Sequence, residues 1–70
     1  MQISARNQLK GKVKSLKMDT IMAEVTVELP DGQQIASVIT RNSADGLHLQ
    51  EGDNVTVIIK STEVMLGKDA

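Results

Sequence analysis

The side chains with chemical potential in this 70-residue chain are cations and hydroxyls gathered near its two ends. Near the start, Ser4 and Arg6 stand one residue apart. Two residues along an extended strand cover about 6.5 Å, a span that can flank a small tetrahedral anion. The serine hydroxyl, the guanidinium fork and the intervening Ala5 N–H together offer donors. Near the end, Lys60-Ser61-Thr62 closes an apolar strand with a second donor cluster. Clusters like these also arise as surface salt bridges or strand-end hydrogen bonds, and spacing alone leaves those structural roles ahead of an anion site.

The first cluster sits in a wider positive stretch. From Ile3 to Lys17 the chain carries Arg6, Lys10, Lys12, Lys14 and Lys17 and no carboxylate, although its formal net charge is −1. Lys10, Lys12 and Lys14 alternate with Leu9, Gly11 and Val13, the pattern of a solvated strand face, and lysines on such a strand deter edge-to-edge association. Non-specific nucleic-acid binding is the competing use of a basic stripe. It is disfavoured by the acidic total and by a complete lack of Phe, Tyr and Trp, because single-strand binders gain roughly 1–3 kcal/mol per base from aromatic stacking. The same lack removes any flat platform for a flavin or a purine.

Other residues carry less. His48 lies alone between Leu47 and Leu49, and Met18, Met22 and Met65 suit core gaps better than a soft-metal site. No cysteine is present, which excludes disulfides and thiolate metal sites, and one histidine with carboxylates is a poor set for structural zinc. No nucleophile–base pair, HExxH, P-loop or GxGxxG occurs. Nothing in the pattern argues for an enzyme.

The elements that would hold the two clusters are strands. Alternation begins at Leu9, and Ile21–Leu29 is apolar at its odd positions, a half-buried strand. Pro30-Asp31-Gly32 is a turn, since Pro presets φ and Gly supplies a positive one. Gln34–Thr40 follows, apolar on both faces and so expected to be covered on both sides. Ser43–Leu47 reads as one helical turn, Glu51-Gly52-Asp53 as a second tight turn, Asn54–Lys60 as a β-branched strand and Thr62–Leu66 as a short last strand. The pattern predicts an all-β fold: a small five-stranded OB-like Greek-key barrel with one short helical turn, or else an SH3-like barrel. A chain of this size buries only about 60% of its unfolded surface, and its core alone supplies at most roughly 3–5 kcal/mol. Self-association is therefore expected. The start has no secretory signal pattern and no apolar run approaches the roughly 20 residues of a membrane span, which predicts a soluble, cytoplasmic protein.

"ISARNQLKGKV" (Ile3–Val13), "MAEVTVEL" (Met22–Leu29) and "LQEGDNVTVIIKSTEVML" (Leu49–Leu66) resemble the molbindins, free-standing members of the Mop, or TOBE-type, domain family. The likeness runs in register over nearly the whole chain and implies a single Mop domain over residues 1–70. It also implies a cytoplasmic store for molybdate, and for tungstate, held at subunit interfaces of a homohexamer built as a trimer of dimers. The family's anion-binding motif falls on Ser4, Ala5 and Arg6 of one subunit and on Lys60 and Ser61 of a neighbour, with Thr40 a further member. Asn7 or Gln8 would serve a second site on the three-fold axis. A sensing module acting on a transporter or regulator is the alternative implied. Nucleic acid, membrane and pterin cofactor are not expected as partners.

Overall fold

The computed structural model describes residues 1–69. β1 (Asn7–Met18), β2 (Met22–Glu28) and β3 (Gln34–Thr40) form an antiparallel meander; α1 (Arg41–Gly46) follows, and β4 (Asn54–Ile59) returns to the free side of β1. The strands lie in the order β3-β2-β1-β4. A fourth strand brought back beside the first is a Greek key.

Local chemistry sets each reversal. Asp19 Oδ1 accepts the N–H groups of Ile21 and Met22 at 2.9 and 2.7 Å, closing the β1–β2 turn. Those two bonds, that of Met22 first, with the charge of Arg41 adding to them, hold the Asp19 carboxyl below the ordinary aspartate value. Gly32 takes φ 90° and donates to Leu29 O at 2.9 Å. Gly52, also at φ 90°, donates to Val13 O at 2.8 Å, which pins the turn before β4 against β1.

β1 serves two partners in succession. Asn7 to Lys12 pair with β4, whereas Lys12 to Met18 pair with β2, so the ladder changes sides at Lys12. A bulge between Val13 and Ser15 leaves Lys14 out of the register and sharpens the local twist; its ammonium lies 3.4 Å from the Glu28 carboxylate. Gly11 sits where the strand bends. A Cβ there would stand 2.7 Å from Glu28 O and 2.7 Å from Val27 Cγ1.

The core is thin. Val13, Val25 and Val27 are buried, and Leu16, Ile39, Leu49, Val55 and Val57 pack against them half-buried. The accessible surface is 5858 Å², whereas a compact chain of 7.6 kDa exposes about 4,300 Å². The radius of gyration, 13.0 Å, likewise exceeds the roughly 11 Å of a compact 70-residue domain. Among the described residues no helix is long and apolar enough to cross a membrane.

Several expectations need correction. The described residues form four strands in a curled sheet, not five in a closed barrel: Thr62–Leu66 does not pair. A 3-10 turn over Ser61–Glu63, closed by Glu63 N–H to Lys60 O at 2.9 Å, breaks the extended run. The helix begins at Arg41 rather than Ser43, because Thr40 Oγ1 accepts the Ser43 N–H at 3.1 Å and caps it. β3 is half-buried on one face only, and Val38 on the other is 63% exposed. β1 starts two residues before Leu9, yet does not extend back through Arg6 to Ser4.

Two outcomes follow from the contacts. Gly11→Ala should destabilise the fold by about 1–3 kcal/mol, read from urea unfolding, because backbone as well as side chain must give way. The folded-state pKa of Asp19 is depressed, so its contribution is present above the ordinary aspartate value of about 3.9 and lost as pH falls through the folded value. The thermal midpoint should therefore drop more steeply below about pH 4 in the parent than in Asp19→Ala.

Candidate functional site

The two donor clusters are brought together by the β1–β4 ladder. Its last pair is Asn7 with Ile59, so Arg6 and Lys60 leave neighbouring strands, about 4.8 Å apart, at the same end of the sheet. Ser4, Ala5 and Ser61 lie just beyond, outside any strand. Ser4, Arg6, Lys60 and Ser61 are exposed and Ala5 is half-covered. Salt bridges among the described residues join Lys14 to Glu28 and Arg41 to Asp45. Arg6 and Lys60 have no carboxylate partner there.

Four carbonyl oxygens around this point are engaged, whereas several N–H groups are not. Gln8 Nε2 donates to Ala5 O at 2.7 Å, and Asn7 Nδ2 to Ile59 O at 3.3 Å. Lys60 O accepts from Glu63 N–H and Ser61 O from Val64 N–H in the 3-10 turn. None of the backbone N–H groups of Ser4, Ala5, Arg6, Ser61 and Thr62 donates to an acceptor among the described residues. The sheet end thus presents two cations, two serine hydroxyls and a set of unused amides. Such a surface suits an anion with several acceptor oxygens. Asn7 and Gln8 have a visible structural role, since each removes an acceptor from the neighbourhood.

Thr40 is not part of this group within one protomer. It pairs with Met22 at the end of β2 that meets Met18, the far end of β1 from Arg6. The separation is the length of β1, roughly 35 Å of strand, and the Thr40 hydroxyl is occupied in capping α1. Thr62, absent from the family motif as read from the sequence, stands beside Ser61 with a free N–H. The position of the 3-10 turn carries it there, and nothing in residue spacing announces that turn.

A larger cleft, of about 590 Å³, lies at the bend of β1 and is lined by Lys10, Lys12, Glu28, Pro30, Val55 and Thr56. Its lysines are solvent-exposed and share it with the Glu28 carboxylate, a mixture less suited to a dianion than the sheet end. No cluster of three His, Asp or Glu able to hold a metal cation occurs among the described residues.

Comparison with known proteins places this geometry in a family. The TOBE domain profile matches residues 3–66. Molybdenum-pterin-binding protein 1 of Clostridium pasteurianum is 52% identical over 66 residues, covering 94% of this chain and 97% of that protein. Among solved structures, MopII of Clostridium pasteurianum superposes with a TM-score of 0.90 at 46% identity, covering 96% of this chain and 100% of MopII. A molybdate-binding protein from Sporomusa ovata superposes with a TM-score of 0.91 at 37% identity, covering 97% of this chain and 100% of its own. The likeness in sequence and in backbone spans the segments that carry the donor cluster, and this chain belongs to the TOBE domain family of Mop-type proteins.

Proposed function

We propose that this protein binds molybdate, and tungstate by the same chemistry, and stores it in the cytoplasm as a homohexamer with the anion held between subunits. The observation that carries the reading is the donor surplus at the end of the β1–β4 ladder: the carbonyls of Ala5, Ile59, Lys60 and Ser61 engaged, neighbouring amides and hydroxyls free, and Arg6 and Lys60 unpaired among the described residues. A tetrahedral oxide dianion has only acceptors to offer, and is retained by donors where no carboxylate competes. The names of the relatives, molybdenum-pterin-binding and molybdate-binding, support this ligand.

In this reading Arg6 orients the anion with two parallel N–H bonds. Lys60 acts as a compact charge with three rotatable donors. Ser4 and Ser61 donate their hydroxyl hydrogens, and the amides around Ala5 and Ser61 complete the shell. A single protomer leaves this cluster open to water, where each charge is screened. A second subunit closing over it would dry the site and strengthen every bond. The resemblance implies such a shared site by dividing the motif between two subunits, although one protomer already holds Arg6 and Lys60 at the same sheet end. Thr40, remote within one protomer, belongs to this reading only as a residue of another subunit. The 5858 Å² of exposed surface, roughly 1,500 Å² above that of a compact chain, supports assembly. An anion bound only by the assembly then stabilises it by mass action.

Calorimetric titration with molybdate, tungstate, sulfate and phosphate tests the reading. Molybdate and tungstate should bind, and sulfate, a smaller anion that spans fewer donors, should bind much more weakly. Loss of a charge-assisted bond is worth about 1.5–3 kcal/mol, so Arg6→Ala and Lys60→Ala should each weaken molybdate binding by roughly tenfold or more. Equal affinity for sulfate, or full molybdate affinity in both variants, contradicts the proposal.

A further inference from the structure

The ligand of the proposed function is a dianion, and the net charge of the protein opposes its approach. Each chain carries −1, and an assembly multiplies that charge. Capture therefore depends on where the positive side chains stand. On β1 they are not equivalent. Lys14 is held by Glu28 at 3.4 Å, and Lys17 stands opposite Glu24 across the β1–β2 ladder. Lys10 and Lys12 pair across the β1–β4 ladder with Thr56 and Asn54, which carry no charge. Lys12 also pairs with Glu28 on its other side, but that carboxylate already holds Lys14. Lys10 and Lys12 are exposed, and neither joins a salt bridge among the described residues.

Strand alternation puts both lysines on the face of β1 away from the buried Val13. That face follows β4 to the sheet end where Arg6 and Lys60 emerge. Lys10 lies about 13 Å of strand from Arg6, and Lys12 about 20 Å. Neither Arg6–Lys12 nor Asn54–Ser61 contains an Asp or Glu. We propose that Lys10 and Lys12 are a capture track, which gathers the oxyanion at the cleft in the bend of β1 and feeds it along this face to Arg6 and Lys60. A cleft lined by cations raises the local concentration of an anion. This one is too wet to keep it, since its lysines are solvated and Glu28 shares its wall. The two lysines thus govern the rate of arrival and are not ligands of the bound ion. The inference rests on the oxyanion reading of the sheet end, and assigns a use to the basic run that the site itself leaves idle.

Rapid filtration with radiolabelled molybdate measures uptake, and a chase with unlabelled molybdate measures release. At about 10 mM ionic strength the screening length, about 30 Å, exceeds the length of the track. There the paired variant Lys10→Gln with Lys12→Gln should bind molybdate roughly threefold more slowly than the parent, with the release rate unchanged. At about 1 M salt, where screening acts within about 3 Å, the two proteins should bind at the same rate. Lys10→Arg with Lys12→Arg, which keeps both charges, should retain the parent's rate at low salt. Equal uptake by the Gln pair and the parent at low salt overturns the inference. So does faster release from the Gln pair, which would make the lysines ligands, or an Arg pair as slow as the Gln pair, which would make their role structural. Each of those results leaves the oxyanion site standing, whereas a parent that takes up no molybdate overturns both.

Discussion

The antiparallel ladder between the first half of β1 and all of β4 is the contact on which the rest depends. Residues about fifty positions apart meet there, and the ladder runs out at Asn7 and Ile59, with cationic, hydroxyl-bearing segments on both strands immediately beyond. Two features keep it in place. The Gly52 turn bonds to Val13 and anchors the entry to β4. Gly11 lets β1 bend under β2 where a side chain would collide with Glu28 O. A register slip of one residue would turn the apolar positions of β4 outward and part Arg6 from Lys60.

Binding chemistry here is a matter of what is missing as much as of what is present. Amides at a strand end are ordinarily hydrated, and so are the carbonyls beside them. At this sheet end the Asn7 and Gln8 side chains and the 3-10 turn engage the carbonyls of Ala5, Ile59, Lys60 and Ser61. An approaching oxyanion therefore meets donors with few acceptors to repel it. The thin core has a related consequence. With three valines at its centre and Met65 and Leu66 almost wholly in solvent, the protomer is stabilised by whatever covers those surfaces. In the proposed assembly, stability, self-association and anion capture are three readings of one coupled equilibrium.

Much of the fold was legible from local pattern. The alternation in Met22–Glu28, the Pro30-Asp31-Gly32 reversal and the β-branched run in Asn54–Ile59 are properties of a few neighbouring residues, and the observed elements match them to within one or two positions. Thr62–Leu66 was misread for the opposite reason. Its composition suits a strand, but a strand exists only with a partner, and the protomer supplies none. Thr40 was legible as a strand end but not as a helix cap, because its role depends on the Ser43 N–H coming within reach. As for the site, the residue types at Ser4, Arg6, Lys60 and Ser61 pointed to anion chemistry without deciding it. The resemblance assigned them to one motif, and the ladder put them at one sheet end. The engagement of the carbonyls could not be read in advance, since Gln8 and the 3-10 turn act through geometry rather than through spacing.

Native mass spectrometry of the protein loaded with molybdate addresses the central claim most directly, because subunit number and bound anions are counted in one spectrum. The account predicts a hexamer that carries molybdate, and monomers, released by gentle activation, that carry none. Anion retained on lone monomers, or a hexamer that stays empty at saturating molybdate, would contradict it.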